Sequence, residues 1–170
     1  MRCAHQRHGP GTGGGRASHR AQGLRLTAIA VSTVIAAPPE RVWDDLRHIS
    51  RHVDWMADAD AIRFQGEQTE GVGTAFVTAT KVGPIRLNDV MVVTEWEAAR
   101  VMGIRHTGIV TGTGRFTLEP VGEGTRLTWE ENLHFPPWMG GALGGVVGRP
   151  VLARIWRHNL ENLRRRFVAG

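Results

Sequence analysis

Apolar and polar residues alternate along most of the chain, with the period of two that is typical of β-strands. Turn residues, mostly Gly, Pro and acidic side chains, interrupt this alternation at short and nearly regular intervals. The predicted strands are Leu26–Ala36, Ile62–Gln68, Thr74–Val82, Leu87–Trp96, Val101–His106, Val110–Glu119 and Thr125–Phe135. Because parallel neighbours need crossovers of a dozen or more residues, the last six strands are expected to form an antiparallel meander.

Two segments of the chain have helical spacing instead. Pro39 suits the first turn of a helix, and the apolar residues from Val42 to Val53 recur at three- and four-residue spacing. A long C-terminal helix is predicted to begin at Pro150, with apolar residues on one arc and arginines opposite. The expected fold class is therefore α+β, with a curved antiparallel sheet of about seven strands wrapped around the C-terminal helix.

This order of elements resembles the helix-grip superfamily, and so does the local sequence. Val31–Leu46 contains the Ala-Pro-Pro-Glu-x-Val-Trp signature, and Thr94–Trp96 and Arg115–Thr128 are similar to later strands of that superfamily. It includes START-type lipid-transfer domains, pollen-allergen-type proteins and bacterial polyketide cyclases/dehydrases, often called SRPBCC proteins. The resemblance covers about residues 28–168 and implies an elongated apolar cavity that holds a hydrophobic or amphipathic small molecule. It does not choose among carriers, sensors and enzymes, which share this scaffold.

Length and composition fit a single domain at residues 24–170, preceded by a tail at residues 1–23. The chain has 170 residues, 41% of them apolar, and one cysteine, which excludes a disulfide framework. Four arginines of the tail carry most of the formal net charge of +5, so the domain is nearly neutral. The glycine-rich tail has no large aliphatic residue and is expected to be disordered, as a basic arm or a misassigned start.

The apolar run that follows the tail, Leu26–Ala37, also has the length of the apolar region of a secretory signal. Polar residues interrupt it, and it leads directly into Pro38-Pro39-Glu40, which is typical of a helix start. We therefore expect a cytoplasmic protein, with export as the alternative.

Gly112 and Gly114 share the predicted inner face of their strand with Phe116. Glycines on an inner face leave volume unfilled, which favours a ligand site there. The alternative is a sheet bend or bulge that requires glycine.

Two ionisable residues are candidates for acid–base chemistry. Alternation places Glu131 on the apolar face of the last strand, where desolvation would raise the pKa of its carboxyl. The alternative places Glu131 at the cavity mouth, hydrated or paired with an arginine. His106 shares a face with Met102 and Ile104 and could act as a general base, or could be a core histidine bonded to the backbone.

Other candidates for ligand contact come from the helices and from the segment before the last helix. His52 lies in or just after the first helix and Trp55 just beyond it, where the resemblance implies that the fold closes one end of its cavity. Asn159 lies on the apolar arc of the last helix and could bond a ligand or a facing backbone. Trp138–Gly148, rich in glycine, is interpreted as a mobile gate or as a short, imperfect connecting helix. The remaining candidates are Phe116, Trp129, Trp138, Met139, Leu143, Trp156 and Leu163.

Metal, cofactor and macromolecular partners have weaker support. His48 and His52 have the four-residue spacing of metal ligands, but no third ligand is fixed, so neither a metal nor a cofactor is expected. The arginines of the last helix indicate a solvated face or peripheral contact with an anionic membrane. Nucleic acid is not expected, because no aromatic stacking platform accompanies the charge. The oligomeric state is not predicted.

Three functions remain open at this point. The first is a carrier or sensor for a lipid, isoprenoid or polyketide-like molecule. The second is a polyketide cyclase, aromatase or dehydratase that uses His106 and Glu131. The third is a module that docks a protein or membrane through its basic C-terminal helix.

Overall fold

A computed structural model describes residues 27–168, apart from the side chains of residues 27 and 141–147. The strands are β1 (Thr27–Ile35), β2 (Ala59–Phe64), β3 (Ala75–Val82), β4 (Ile85–Glu97), β5 (Val101–Thr107), β6 (Thr111–Val121) and β7 (Gly124–His134). The helices are α1 (Pro39–Leu46) and α2 (Gly141–Arg165), with 3-10 helices at Ile49–Asp54 and Pro137–Met139. The predicted tail, residues 1–23, lies outside the described residues.

The strands form one antiparallel sheet in the order β1-β7-β6-β5-β4-β3-β2. β2 to β7 are therefore the predicted meander, and β1 pairs along the free side of β7. The short turns between successive strands leave no room for crossovers, which is why each strand pairs with the next. The predicted α+β fold, a seven-stranded sheet with a C-terminal helix, is confirmed.

The core lies between α2 and the inner face of the sheet. On β7, Leu127, Trp129 and Leu133 are buried, whereas Arg126 and Glu130 are exposed on the opposite face. This is the alternation expected of a half-buried strand. On α2, buried residues recur at helical spacing and pack mainly beside β1: Ala153, Trp156, Asn159, Leu160 and Leu163.

The prediction of one continuous first helix is wrong, because the structure divides it in two. His48 leaves helical geometry, with φ −83° and ψ 75°, between α1 and the first 3-10 helix. Its Nδ1 lies 2.7 Å from the carbonyl oxygen of Asp44, and Nε2 of His52 lies 2.7 Å from that of Leu46. Two imidazoles thus satisfy carbonyls that a continuing helix would have paired with backbone N–H groups.

The prediction that the last helix begins at Pro150 is also wrong. α2 begins at Gly141, and Pro150 lies inside it. Proline removes one backbone hydrogen bond, and glycine is a poor helix former. The packed C-terminal half of α2 provides a nucleus, and adding residues to an existing helix costs less than starting one. The segment interpreted as a gate or connector is thus largely the first two turns of α2.

Strand β2 is displaced from its predicted position. It begins at Ala59 rather than Ile62. It ends at Phe64 rather than Gln68, because Gly66 adopts a positive φ of 112° and turns the chain. The other strands agree with prediction to within two residues at each end.

Candidate functional site

A cavity of about 400 Å³ lies between the inner face of the sheet and α2. This volume falls within the range of small-molecule sites. The wall is mainly apolar and includes Ile62, Phe76, Leu87, Met91, Met102, Ile104, Val110, Leu133 and Leu152. The site is therefore an apolar chamber with a few polar side chains in its wall.

Three ionisable side chains from different strands meet in this wall. His106 on β5 lies between Asp89 on β4, which contacts its Nδ1, and Glu131 on β7, whose Oε2 is 3.1 Å from its Nε2. Nε1 of Trp129 donates a hydrogen bond of 2.8 Å to Oε1 of Glu131. Asp89, His106 and Glu131 are all buried, and we call them the carboxylate–histidine cluster.

The register of the sheet explains how His106 and Glu131 meet across an intervening strand. On β6, Gly112 pairs with His106 and Gly114 pairs with Glu131. Glycine places no side chain between them. The two side chains can therefore reach each other over β6.

The charge of His106 follows from its two carboxylate neighbours. Burial by itself lowers the pKa of His106, but the hydrogen bonds and negative charges of Asp89 and Glu131 outweigh burial and raise the pKa to about 10. The ring is therefore an imidazolium at neutral pH, and both of its N–H groups donate to carboxylates.

Gly114 and Gly112 are required for different reasons. A Cβ at Gly114 would lie 2.8 Å from both Cδ and Oε2 of Glu131, so the missing side chain makes room for the carboxylate. Gly112 has a φ of 144°, and a Cβ there would lie 3.0 Å from the carbonyl carbon of Asn132. Of the two interpretations of these glycines, ligand volume and a backbone that requires glycine, Gly112 fits the second, whereas Gly114 lines the cavity and makes room for the carboxylate of Glu131.

His52 forms a second polar point in the cavity wall. Its Nε2 donates to the carbonyl of Leu46, which leaves Nδ1 of the neutral ring as an acceptor. Burial lowers the pKa of His52 to about 4, and the smaller opposing effects of the Leu46 hydrogen bond and Asp45 do not reverse this. His52 is therefore uncharged at neutral pH, unlike His106.

Most of the sequence-predicted site residues line the cavity: His52, His106, Gly114, Phe116, Trp129, Glu131, Met139 and Trp156. Phe116, Trp129 and Trp156 form a continuous aromatic wall, with ring centroids 5.1 Å apart in each successive pair. The burial of Glu131 contradicts the alternative that placed it, hydrated, at the cavity mouth.

Five predicted ligand-contact residues do not line the cavity, for reasons that the structure makes clear. The amide of Asn159 accepts from the backbone N–H of Ala57 at 2.9 Å and donates to Asp58 at 2.6 Å, so it links α2 to the chain before β2. Trp55 and Leu163 are buried in the core, and Gly112 meets the backbone of β7. Trp138 is 70% exposed. The side chain of Leu143 lies outside the described residues.

Asp89 is the functional candidate that sequence reasoning missed. A signal was present, because alternation on β4 places it on the same face as Leu87, Met91 and Val93. Its approach to His106 is diagonal, since the direct partner of His106 is Met91. Only the sheet register identifies that contact.

The outer face of α2 carries arginines that pair with nearby carboxylates. Arg164 and Arg165 pair with Glu161, and Arg166 pairs with Asp45, as expected of a solvated face; contact with a membrane stays a prediction. Within residues 27–168, no group of three His, Cys, Asp or Glu side chains is arranged to hold a metal ion. No helix in that range is long and apolar enough to cross a membrane.

Comparison with known proteins adds a family and a set of similar folds. The model of the family described as polyketide cyclase / dehydrase and lipid transport matches residues 27–168. No curated protein matches the sequence. These comparisons bear on the whole domain and assign no residue of the cavity.

Several solved structures share the fold at low sequence identity. TTHA0849 from Thermus thermophilus has a TM-score of 0.70 and 18% identity over 84% of this chain and 97% of its own. The Zhui aromatase/cyclase from Streptomyces has a TM-score of 0.64 and 19% identity over 85% of this chain and 98% of its own. The two-domain aromatase/cyclase StfQ of the steffimycin biosynthetic pathway has a TM-score of 0.68 and 12% identity, over 82% of this chain and 50% of StfQ.

Proposed function

The chain belongs to the polyketide cyclase / dehydrase and lipid transport family, and on that premise we propose that it binds a hydrophobic or amphipathic small molecule, as a carrier or sensor. The observation that carries the proposal is the cavity of about 400 Å³ between sheet and helix. Protein interiors are normally packed with few voids larger than a water molecule. A chamber of this size forgoes contacts that would otherwise stabilise the fold, which a ligand would restore.

The lining indicates the kind of molecule that fits. Aliphatic side chains and the aromatic wall of Phe116, Trp129 and Trp156 suit an apolar body. The carboxylate–histidine cluster and His52 offer polar contacts to a head group or substituent. An amphipathic molecule matches this combination better than a pure hydrocarbon does.

A pair of matched substitutions tests the proposal. Ile104 lines the cavity, whereas Ile109 is 48% exposed and does not. We expect a neutral, environment-sensitive dye to bind the wild type saturably, at one molecule per chain. Ile104→Trp should weaken that binding at least about tenfold, because the indole occupies the chamber, and Ile109→Trp should not.

Circular dichroism and the urea midpoint establish that both variants are folded. Equal dye affinity in the two variants, or binding that never saturates, would contradict the proposal. If Ile104→Trp kept its dye affinity while Ile109→Trp lost it, the dye would bind outside the cavity, which would also contradict the proposal.

A second function, acid–base catalysis on the bound molecule, is favoured by the position of His106 between two carboxylates in the cavity wall. Asp89 can hold the ring while Glu131 accepts a proton from the α-carbon of the ligand and the His106 imidazolium donates one to the ligand's carbonyl oxygen, as an aldol cyclisation or dehydration requires. Aromatase/cyclases among the similar folds are consistent with this chemistry.

Deuterium exchange α to the carbonyl of a bound aryl ketone, followed by NMR, tests the second function. Wild type should accelerate the exchange, and both His106→Gln and Glu131→Gln should abolish the acceleration while the ketone still binds. Equal exchange rates in all three proteins would eliminate catalysis by these residues and leave the binding function standing.

A further inference from the structure

The charges that face the cavity do not balance. Its lining residues include three carboxylates, on Asp58, Asp89 and Glu131. Among the described residues that line it, the cationic side chains are His106 and Arg115. Whether these two compensate the carboxylates depends on where their charges point.

Arg115 does not compensate charge inside the cavity. Its Nε donates to Oε2 of Glu95 at 3.2 Å, and its side chain is 42% exposed. Glu95 and Arg115 therefore form a pair on the outer side of the sheet, accessible to solvent. His106 is left as the inward cation.

One imidazolium faces two carboxylates within the cluster, so the cluster has a net charge of −1. A neutral His106 would leave the cluster more negative still. Asp58 adds a third carboxylate whose described partner is the neutral amide of Asn159. The cluster thus places uncompensated negative charge in the buried wall of a mainly apolar chamber, which is costly where water is excluded.

One carboxylate oxygen of Asp89 also lacks, within the described part of the chain, a hydrogen-bond donor that would offset its negative charge. Asp89 is 8% exposed and lines the cavity, and its Oδ1 is buried without a hydrogen-bond donor among the described residues. Buried carboxylate oxygens normally have donors. Oδ1 packs against Gly108, where an added Cβ would lie 2.8 Å from it, so a cation in the cavity would offset the charge of Asp89 without a direct bond to this oxygen.

We propose that the cavity selects molecules whose polar end is a protonated amine on an apolar body, and discriminates against molecules that end in a carboxylate. An ammonium group brings a positive charge and hydrogen-bond donors to the carboxylate–histidine cluster. A carboxylate brings a like charge and no donor to the same place, and like charges in a low-dielectric site repel strongly. An alcohol is neutral and has one hydrogen-bond donor, so its affinity should lie between those of the amine and the carboxylate. This inference rests on the proposed binding function.

Three probes that share a dodecyl chain isolate the effect of the polar end. Dodecylamine, dodecanol and dodecanoate, each below its micelle concentration at pH 7, compete with the neutral dye for the wild-type protein. We expect the amine to displace the dye at the lowest concentration and dodecanoate at the highest. The amine should bind at least about tenfold more tightly than the carboxylate.

Charge-neutralising variants assign the preference to the cluster. Glu131→Gln and Asp89→Asn keep the shape of each side chain, and each should reduce the amine-to-carboxylate affinity ratio several-fold. Glu130→Gln removes the same charge from the adjacent, exposed position on the outer face of β7 and should leave the ratio unchanged.

The outcomes separate this inference from the binding function. A dodecanoate affinity equal to or above that of dodecylamine, a ratio unchanged in both cluster variants, or failure of all three probes to displace a bound dye would overturn the amine selectivity. In each of these cases binding of the dye itself would stand. Absence of saturable dye binding, by contrast, would refute the binding function.

Discussion

Gly114 faces Glu131, and adding a single methyl group there tests the geometry of the cluster. In Gly114→Ala the new Cβ would lie 2.8 Å from Cδ and Oε2 of Glu131. The carboxylate must move, which weakens the bonds it accepts from Trp129 at 2.8 Å and His106 at 3.1 Å. Hydrogen bonds to charged groups contribute about 1.5–3 kcal/mol each, and overpacking costs about 1–3 kcal/mol. We expect the free energy of unfolding to fall by about 3 kcal/mol.

Urea unfolding followed by tryptophan fluorescence measures this loss as a lower midpoint at an unchanged slope. Gly148→Ala is the matched control, because Gly148 also lines the cavity and a Cβ there meets nothing within 4 Å. That change lies in α2 and should stabilise the protein by up to about 1 kcal/mol.

A double-mutant cycle decides whether Glu131 is the cause. In a Glu131→Ala background the carboxylate is gone, and Gly114→Ala should then cost much less than in the wild type. An equal cost in both backgrounds, or a loss below about 0.5 kcal/mol in the wild type, would refute the assignment of Gly114 to the carboxylate.

Three further predictions concern titration and hydrogen bonding. The pKa of His106 rises from 6.5 to about 10 on folding, so its contribution to stability is complete below pH 6.5 and is lost as the pH rises to about 10. Urea titrations should show a loss of up to about 1.4 kcal/mol per pH unit in that window, absent in His106→Gln; identical slopes would contradict it. The pKa of His52 falls from 6.5 to about 4, so its contribution is present above pH 6.5 and is lost towards pH 4; His52→Gln, which keeps an Nε2 donor, should flatten this acid limb. Asn159→Ala should lower the free energy of unfolding by about 1–3 kcal/mol without changing dye affinity, and a weaker affinity would show that Asn159 contacts the ligand.

The fold was largely predictable because its signals are local. Alternation and turn residues gave the meander, and the resemblance to the helix-grip superfamily agrees with the family match. The errors fall where local propensity and tertiary packing disagree. Glycines and Pro150 argue against a helix, yet α2 extends through them from its packed half, and His48 ends a helix whose apolar spacing continues.

The cluster was predictable only in part, for a related reason. Alternation assigns Glu131 to the apolar face of its own strand, and the structure buries it there. The meeting of Asp89, His106 and Glu131 depends on the register of four neighbouring strands, which period-two patterning does not determine. The glycines of β6 were noticed, but their role as space for side chains from neighbouring strands required the pairing of Gly112 with His106 and Gly114 with Glu131.

Native mass spectrometry of the purified protein, followed by denaturing extraction, tests the central claim most directly. The account predicts that the wild type retains or takes up one small hydrophobic or amphipathic molecule per chain, released on denaturation, and that Ile104→Trp takes up much less under the same conditions. An apo mass for both proteins, unchanged after incubation with the neutral dye and with dodecylamine, would contradict it.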